Sequence, residues 1–236
     1  MRKQMVALLA GAMLMMAAGS ASAYTIDYSF KTPLPQAGGY SSPVAGVAVE
    51  TFDTSSLLWT WTGDYAIKTG SNSFGAAPAY MNPLSTADKT KYIAVPDSTS
   101  NTTGTATATQ TTAILGGEFN YFGLWWGSID GLNGGLGINN VLSFYNNNVL
   151  VETVTGAQVI DPLKAAGSWT STDNNRYVNL YNLDTFDSFS LTSYGRAFEA
   201  DNIAVGAVPE PGTMMLLGLG MLGMAVYGKR RMNKEA

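Results

Sequence analysis

From residue 24 to residue 207 the chain repeats one pattern: short runs of β-branched and aromatic residues, broken by clusters of glycine and asparagine. No helical period is sustained in this stretch. Runs of this kind place successive side chains on opposite faces of a strand, and runs this short gain stability only by pairing into sheets. Ten such runs are read, at residues 24–30, 44–52, 57–61, 105–115, 119–126, 141–145, 149–155, 177–181, 186–192 and 203–205. In the first, Tyr24, Ile26, Tyr28 and Phe30 are expected on one face. Asn146-Asn147-Asn148 joins two runs and predicts a hairpin, because asparagine tolerates positive φ. The expectation is an all-β domain over residues 24–207, an antiparallel β-sandwich of jelly-roll type.

Composition narrows the chemistry. The chain has no cysteine and no histidine. Disulfides and thiolate metal sites are excluded, and the commonest general base and zinc ligand is missing. A serine nucleophile would need a lysine base, yet neither Ser-x-x-Lys nor Gly-x-Ser-x-Gly occurs. An enzyme is therefore not expected. Residues 24–208 carry seven basic and 15 acidic side chains, a formal charge of −8. An acidic body repels phosphate backbones, so nucleic acid is not an expected partner.

The remaining positive charge sits at the two ends. Arg2 and Lys3 precede an apolar run at residues 5–18, and Ala21-Ser22-Ala23 forms a small-x-small site. Residues 1–23 thus read as a signal peptide that signal peptidase removes after Ala23; the competing reading is a retained anchor. At the other end, Pro209-Glu210-Pro211 precedes 17 uncharged residues, 212–228, and then Lys229-Arg230-Arg231. As a helix, 17 residues reach about 25 Å, the short edge of what spans a bilayer. The basic cluster would stay cytoplasmic as a membrane stop, leaving the body outside. A permanent single-pass anchor is the plain alternative.

Val208-Pro209-Glu210-Pro211-Gly212-Thr213, the short apolar span and the basic cluster resemble the PEP-CTERM sorting signal over residues 208–231. The resemblance implies an exosortase that recognises Pro209, Glu210 and Pro211 and removes the span. The protein would pass from an inner-membrane intermediate to the cell surface or extracellular matrix, where exopolysaccharide is an expected neighbour. A second resemblance covers roughly residues 118–210. The Trp126-Gly127-Ser128-Ile129-Asp130 core and the Phe198-Glu199-Ala200-Asp201-Asn202-Ile203 strand are similar to a family of exosortase-dependent surface proteins. Here residues 131–137 are inserted after the aspartate.

Binding candidates are few. Trp169, in a Gly-Ser-Trp-Thr-Ser-Thr loop, Trp126 and Asp130 are the candidate sugar contacts, although tryptophans in sandwiches more often fill the core. Trp125 and Trp126 are expected to point oppositely. Glu199 and Asp201 share a face if strand-borne, and could supply oxygen ligands to a structural Ca²⁺; the alternative is that they cap backbone amides or face solvent. No other cofactor is expected. The Ser/Thr-rich stretch 98–112 reads as a surface loop running into a polar-faced strand, with O-glycosylation the alternative.

Overall fold

The computed structural model describes residues 24–31, 38–72, 75–80, 87–97, 103–110, 117–129, 140–165, 174–195, 197–209, 218–222 and 224. Among the described residues twelve strands form two antiparallel sheets, so the all-β expectation holds. The strands are β1 (Thr25–Asp27), β2 (Ala48–Glu50), β3 (Trp59–Gly63), β4 (Ala66–Thr69), β5 (Lys91–Val95) and β6 (Gly104–Gln110), then β7 (Tyr121–Gly127), β8 (Asn140–Asn146), β9 (Val149–Thr155), β10 (Arg176–Tyr181), β11 (Ser188–Ser193) and β12 (Phe198–Gly206).

The larger sheet runs β1-β10-β7-β12-β5-β4, and β2 also pairs with β12. Strand β12 is central: β7 lines one edge, while β5 pairs with its first half and β2 with its second. The smaller sheet runs β3-β6-β11-β8-β9. Alternation sorts their side chains. Trp59, Trp61, Ala108, Phe144 and Phe189 from the smaller sheet meet Phe122, Leu124, Trp126, Val178, Phe198 and Ile203 from the larger in one buried core. Trp59 and Trp61 pack edge-on against Phe189 at 4.8 and 5.6 Å, within the range in which aromatic pairs attract beyond their burial. On the outer face of the smaller sheet, threonines of β3 and β6 stand opposite each other, Thr60 with Thr109 and Thr62 with Thr107.

The β8–β9 hairpin turns where the sequence places it, with Asn147 and Asn148 at φ 49° and 65°. One helix, α1 (Gly156–Ala165), follows β9. Its start is a capping box. Gln158 N donates to Thr155 Oγ1 at 3.2 Å, and Thr155 N donates to Gln158 Oε1 at 2.8 Å. Val159 and Ile160 bury one face of the helix in the core.

The first run splits. Tyr24, Ile26 and Tyr28 pack on the inner core, but β1 ends at Asp27 and Phe30 joins a separate cluster on the far side of the larger sheet. That cluster holds Tyr40, Tyr80, Trp125 and Tyr177, so residues near 40 and 80 lie over the outer face of β7 and β10. The larger sheet is thus buried on both faces.

Candidate functional site

Strand β12 joins the two candidate sites: its first half carries Glu199 and Asp201, and its end delivers the chain to Pro209. A bulge separates these halves. Asp201 faces Trp125 and Ala204 faces Gly123, so one extra residue is accommodated between them. Asn202 takes φ 49° there, a conformation asparagine adopts at small cost. Its side-chain amide donates to Tyr40 O at 2.9 Å and to Gly38 O, while its own carbonyl accepts from the Tyr177 hydroxyl at 3.0 Å. The bulge thereby fastens the covering segment to the sheet. Gly39 allows the close approach: at φ 78°, a Cβ there would lie 2.0 Å from the Trp125 ring.

Glu199 and Asp201 do share a face, as strand geometry requires, and that face is buried: Glu199 is 2 % and Asp201 0 % exposed. Glu199 accepts from Ala76 N at 2.8 Å, so it caps backbone in the covering segment. Asp88, equally buried, accepts from Thr90 N and Thr90 Oγ1 at 2.9 and 2.5 Å through Oδ1. Its Oδ2 and both oxygens of Asp201 meet no donor. Burial first, and the charge of Asp88 second, hold the Asp201 carboxyl well above the usual carboxylate range. A proton kept on Asp201 can then be donated to Asp88. The Tyr92 hydroxyl is pushed up to about 12, by burial and then by the charges of Glu199 and Asp88. Among the described residues, no group of three or more acidic side chains is arranged to hold a metal ion.

At the end of β12 the fold closes on the chain before releasing it. Val208 N donates to Asn120 Oδ1 at 2.7 Å, and Asn120 Nδ2 donates to Val208 O at 2.8 Å. One asparagine side chain thus imitates a neighbouring strand. Its backbone is tied in as well: Asn120 N donates to Gly206 O at 3.2 Å, and Leu183 N donates to Asn120 O at 3.0 Å. Pro209, the next residue after the clamp, is exposed.

The other candidates divide. Trp126 is wholly buried and stacked on Phe198 at 4.5 Å and 13°, so neither of its faces is open to a sugar; its proposed contact role is corrected to a core role. Trp125 points oppositely, as expected, yet is also buried, because its side of the sheet is covered. Ala21, Ala23, Asp130, Trp169, Glu210, Pro211, Lys229, Arg230 and Arg231 lie outside the described residues. Of the apolar stretch 212–228, residues 218–222 and 224 are helical and exposed. No helix among the described residues is long and apolar enough to cross a membrane. Asn120 and Asp88 were not singled out from sequence; single Asn and Asp residues beside strands carry no signal of a remote partner.

The family model of the PEP-CTERM protein-sorting motif matches residues 207–231. The match begins at the residue before the Asn120 clamp and ends at the last residue of the basic cluster. The chain carries this motif, which implies an exported protein directed through the membrane to the cell surface, with exosortase as its processing partner. Comparison with curated proteins finds no match.

Proposed function

We propose that this chain is a surface or extracellular-matrix protein whose body has a structural, non-enzymatic role among exopolysaccharide, released there by exosortase after signal peptidase has removed residues 1–23. The observation that carries the reading is the coincidence of fold and motif: the body clamps the chain at Val208, and the Pro209-Glu210-Pro211 triplet of the matched motif follows at once. In this reading, residues 212–228 hold the intermediate in the inner membrane and Lys229-Arg230-Arg231 stop transfer. The absence of histidine and cysteine supports a body without catalysis.

Intact mass and location of the protein in its native host, with and without exosortase, test the sorting half. Loss of residues 1–23 and of the apolar tail, with the tail retained in the knockout, is expected. A tail present in both strains would make the chain a single-pass anchored protein. Glycosidase and esterase screens of the purified protein test the other half, and turnover in either would overturn it.

A second reading, a sugar-binding module with structural Ca²⁺, has one observation in its favour: the Asp88–Asp201 pair presents carboxyl oxygens without donors. Trp169 would be its aromatic contact, and an unchanged glycan-binding profile for Trp169→Ala would remove it.

A further inference from the structure

The clamp at Val208 leaves residues 209–211 between the folded body and the apolar stretch that begins at residue 212. Three residues span at most about 10 Å. An enzyme that grips the Pro-Glu-Pro triplet on so short a leash meets the end of the body from which the chain leaves.

Hydrogen bonds define what lies at that end. Asn120 holds both Val208 and Leu183, and Phe119 exchanges backbone bonds of 2.9 and 2.8 Å with Phe186. The next residue, Asp187, donates its amide to Tyr145 O at 2.9 Å and accepts from Asn147 N at 2.8 Å. Asn146 Nδ2 donates to Thr185 O at 3.0 Å. The tail exit, residues 183–187 and the β8–β9 turn therefore form one connected end of the sandwich. The turn leads directly into Val149 and Leu150, which are 64 % and 55 % exposed. Among the described residues of the body, Tyr194 alone is a comparably exposed large apolar side chain, and it adjoins Ser193, paired with Asn140 at the opposite end of β8. Glu118 and Asp184 at the tail end are exposed and acidic, which disfavours an anionic lipid surface as the occupant and fits a protein partner.

We propose that this end of the sandwich is a docking face for the processing enzyme, with Val149 and Leu150 as its apolar contact. The inference rests on the sorting reading above. It makes the enzyme's substrate the triplet together with the edge of the folded body. The short leash raises the effective concentration of the face at the enzyme, so a contact too weak to hold a free protein suffices here.

The test is pulse-chase processing of the full chain in the exosortase-containing host, comparing wild type with a Val149→Thr, Leu150→Thr double variant. Both sites are exposed and threonine suits strands, so folding is kept. The double variant is expected to be processed about ten-fold more slowly, equivalent to about 1.4 kcal/mol. The same pair of substitutions is then placed behind a twelve-residue Gly/Ser insertion between Val208 and Pro209. The long leash frees the triplet from the body, so the substitutions should no longer matter; a folding defect would persist. A photo-crosslinker at position 150 should capture exosortase. Equal rates on the native leash, persistence of the defect behind the insertion, or capture of lipid alone would each overturn the proposal. Failure of the sorting reading is distinct, since the wild-type chain itself would then remain unprocessed.

Discussion

Asp201→Asn should change how stability depends on pH, in a direction fixed by its burial. The folded-state carboxyl is held well above its ordinary value of 3.8 by burial and by Asp88. Below about 3.8 both folded and unfolded chains carry the proton, and the site costs nothing. As pH rises, the unfolded chain sheds its proton while the folded chain keeps it. Each pH unit in that window removes about 1.4 kcal/mol from the wild type, until Asp201 ionises in the folded state as well. Asparagine fills nearly the same volume, offers Asp88 Oδ2 a donor and has no proton to lose. The variant should therefore gain on the wild type as pH rises from 4 to 6, with a slope no steeper than that of one proton. Surface carboxylates are common to both proteins and cancel in the difference. Urea unfolding at pH 4, 5 and 6, followed by tryptophan fluorescence, measures it, with an unchanged m-value as the control for unfolded-state effects. Asp88→Asn removes the second cause and leaves burial, so it should shorten the window without abolishing it. A difference between Asp201→Asn and wild type that stays flat across this range would show that Asp201 ionises as freely folded as unfolded, and would refute the shared-proton account.

Gly39→Ala combines a strained φ with a Cβ 2.0 Å from Trp125 and should cost about 2–4 kcal/mol, read as a lowered denaturation midpoint; a change within about 0.5 kcal/mol would mean the covering segment shifts freely. Asn120→Ala removes two hydrogen bonds to Val208 and should cost about 1–2 kcal/mol, with amide exchange at Val208 sharply accelerated. Thr155→Ala breaks the capping box of α1 and should cost about 1 kcal/mol by thermal denaturation. Calcium near 1 mM, the working range of extracellular modules, should leave the midpoint unchanged if a proton serves the Asp88–Asp201 pair, whereas a rise would place the cation there.

The strands were legible where one face is apolar and the ends are marked. Residues 149–155 and the Asn146-Asn147-Asn148 turn fall where the sequence puts them. Strands β4 and β5 were not read, since Ala66–Thr69 and Lys91–Val95 are short and lack period-two contrast. From residue pattern alone β12 was read only at residues 203–205, because Glu199, Asp201 and Asn202 interrupt the apolar run; its first half entered as a strand through the resemblance of residues 198–203. Alternation reports which residues share a face; it does not report whether a distant loop covers that face. The same ignorance hid the burial of Trp125 and the partnership of Asp201 with Asp88. The helix was missed for another reason: Pro162 and Gly156 argue against one, and the Thr155–Gln158 cap is a two-residue signal within a strand-rich context.

The last strand of the body is also the one that completes the larger sheet. Strands β1, β10 and β7 lie on one side of β12, and β5, β4 and β2 on the other; among the described residues no other strand pairing joins them. Until residues 198–206 arrive, the halves cannot meet, and their pairing closes long stretches of sequence, which slows folding. In a chain synthesised from its N-terminus, the larger sheet therefore stays incomplete until its last strand is made, while the smaller sheet needs no part of β12. The strand that completes the larger sheet runs directly into the sorting motif, so the closing of that sheet and the exposure of the address label fall within a few residues of each other.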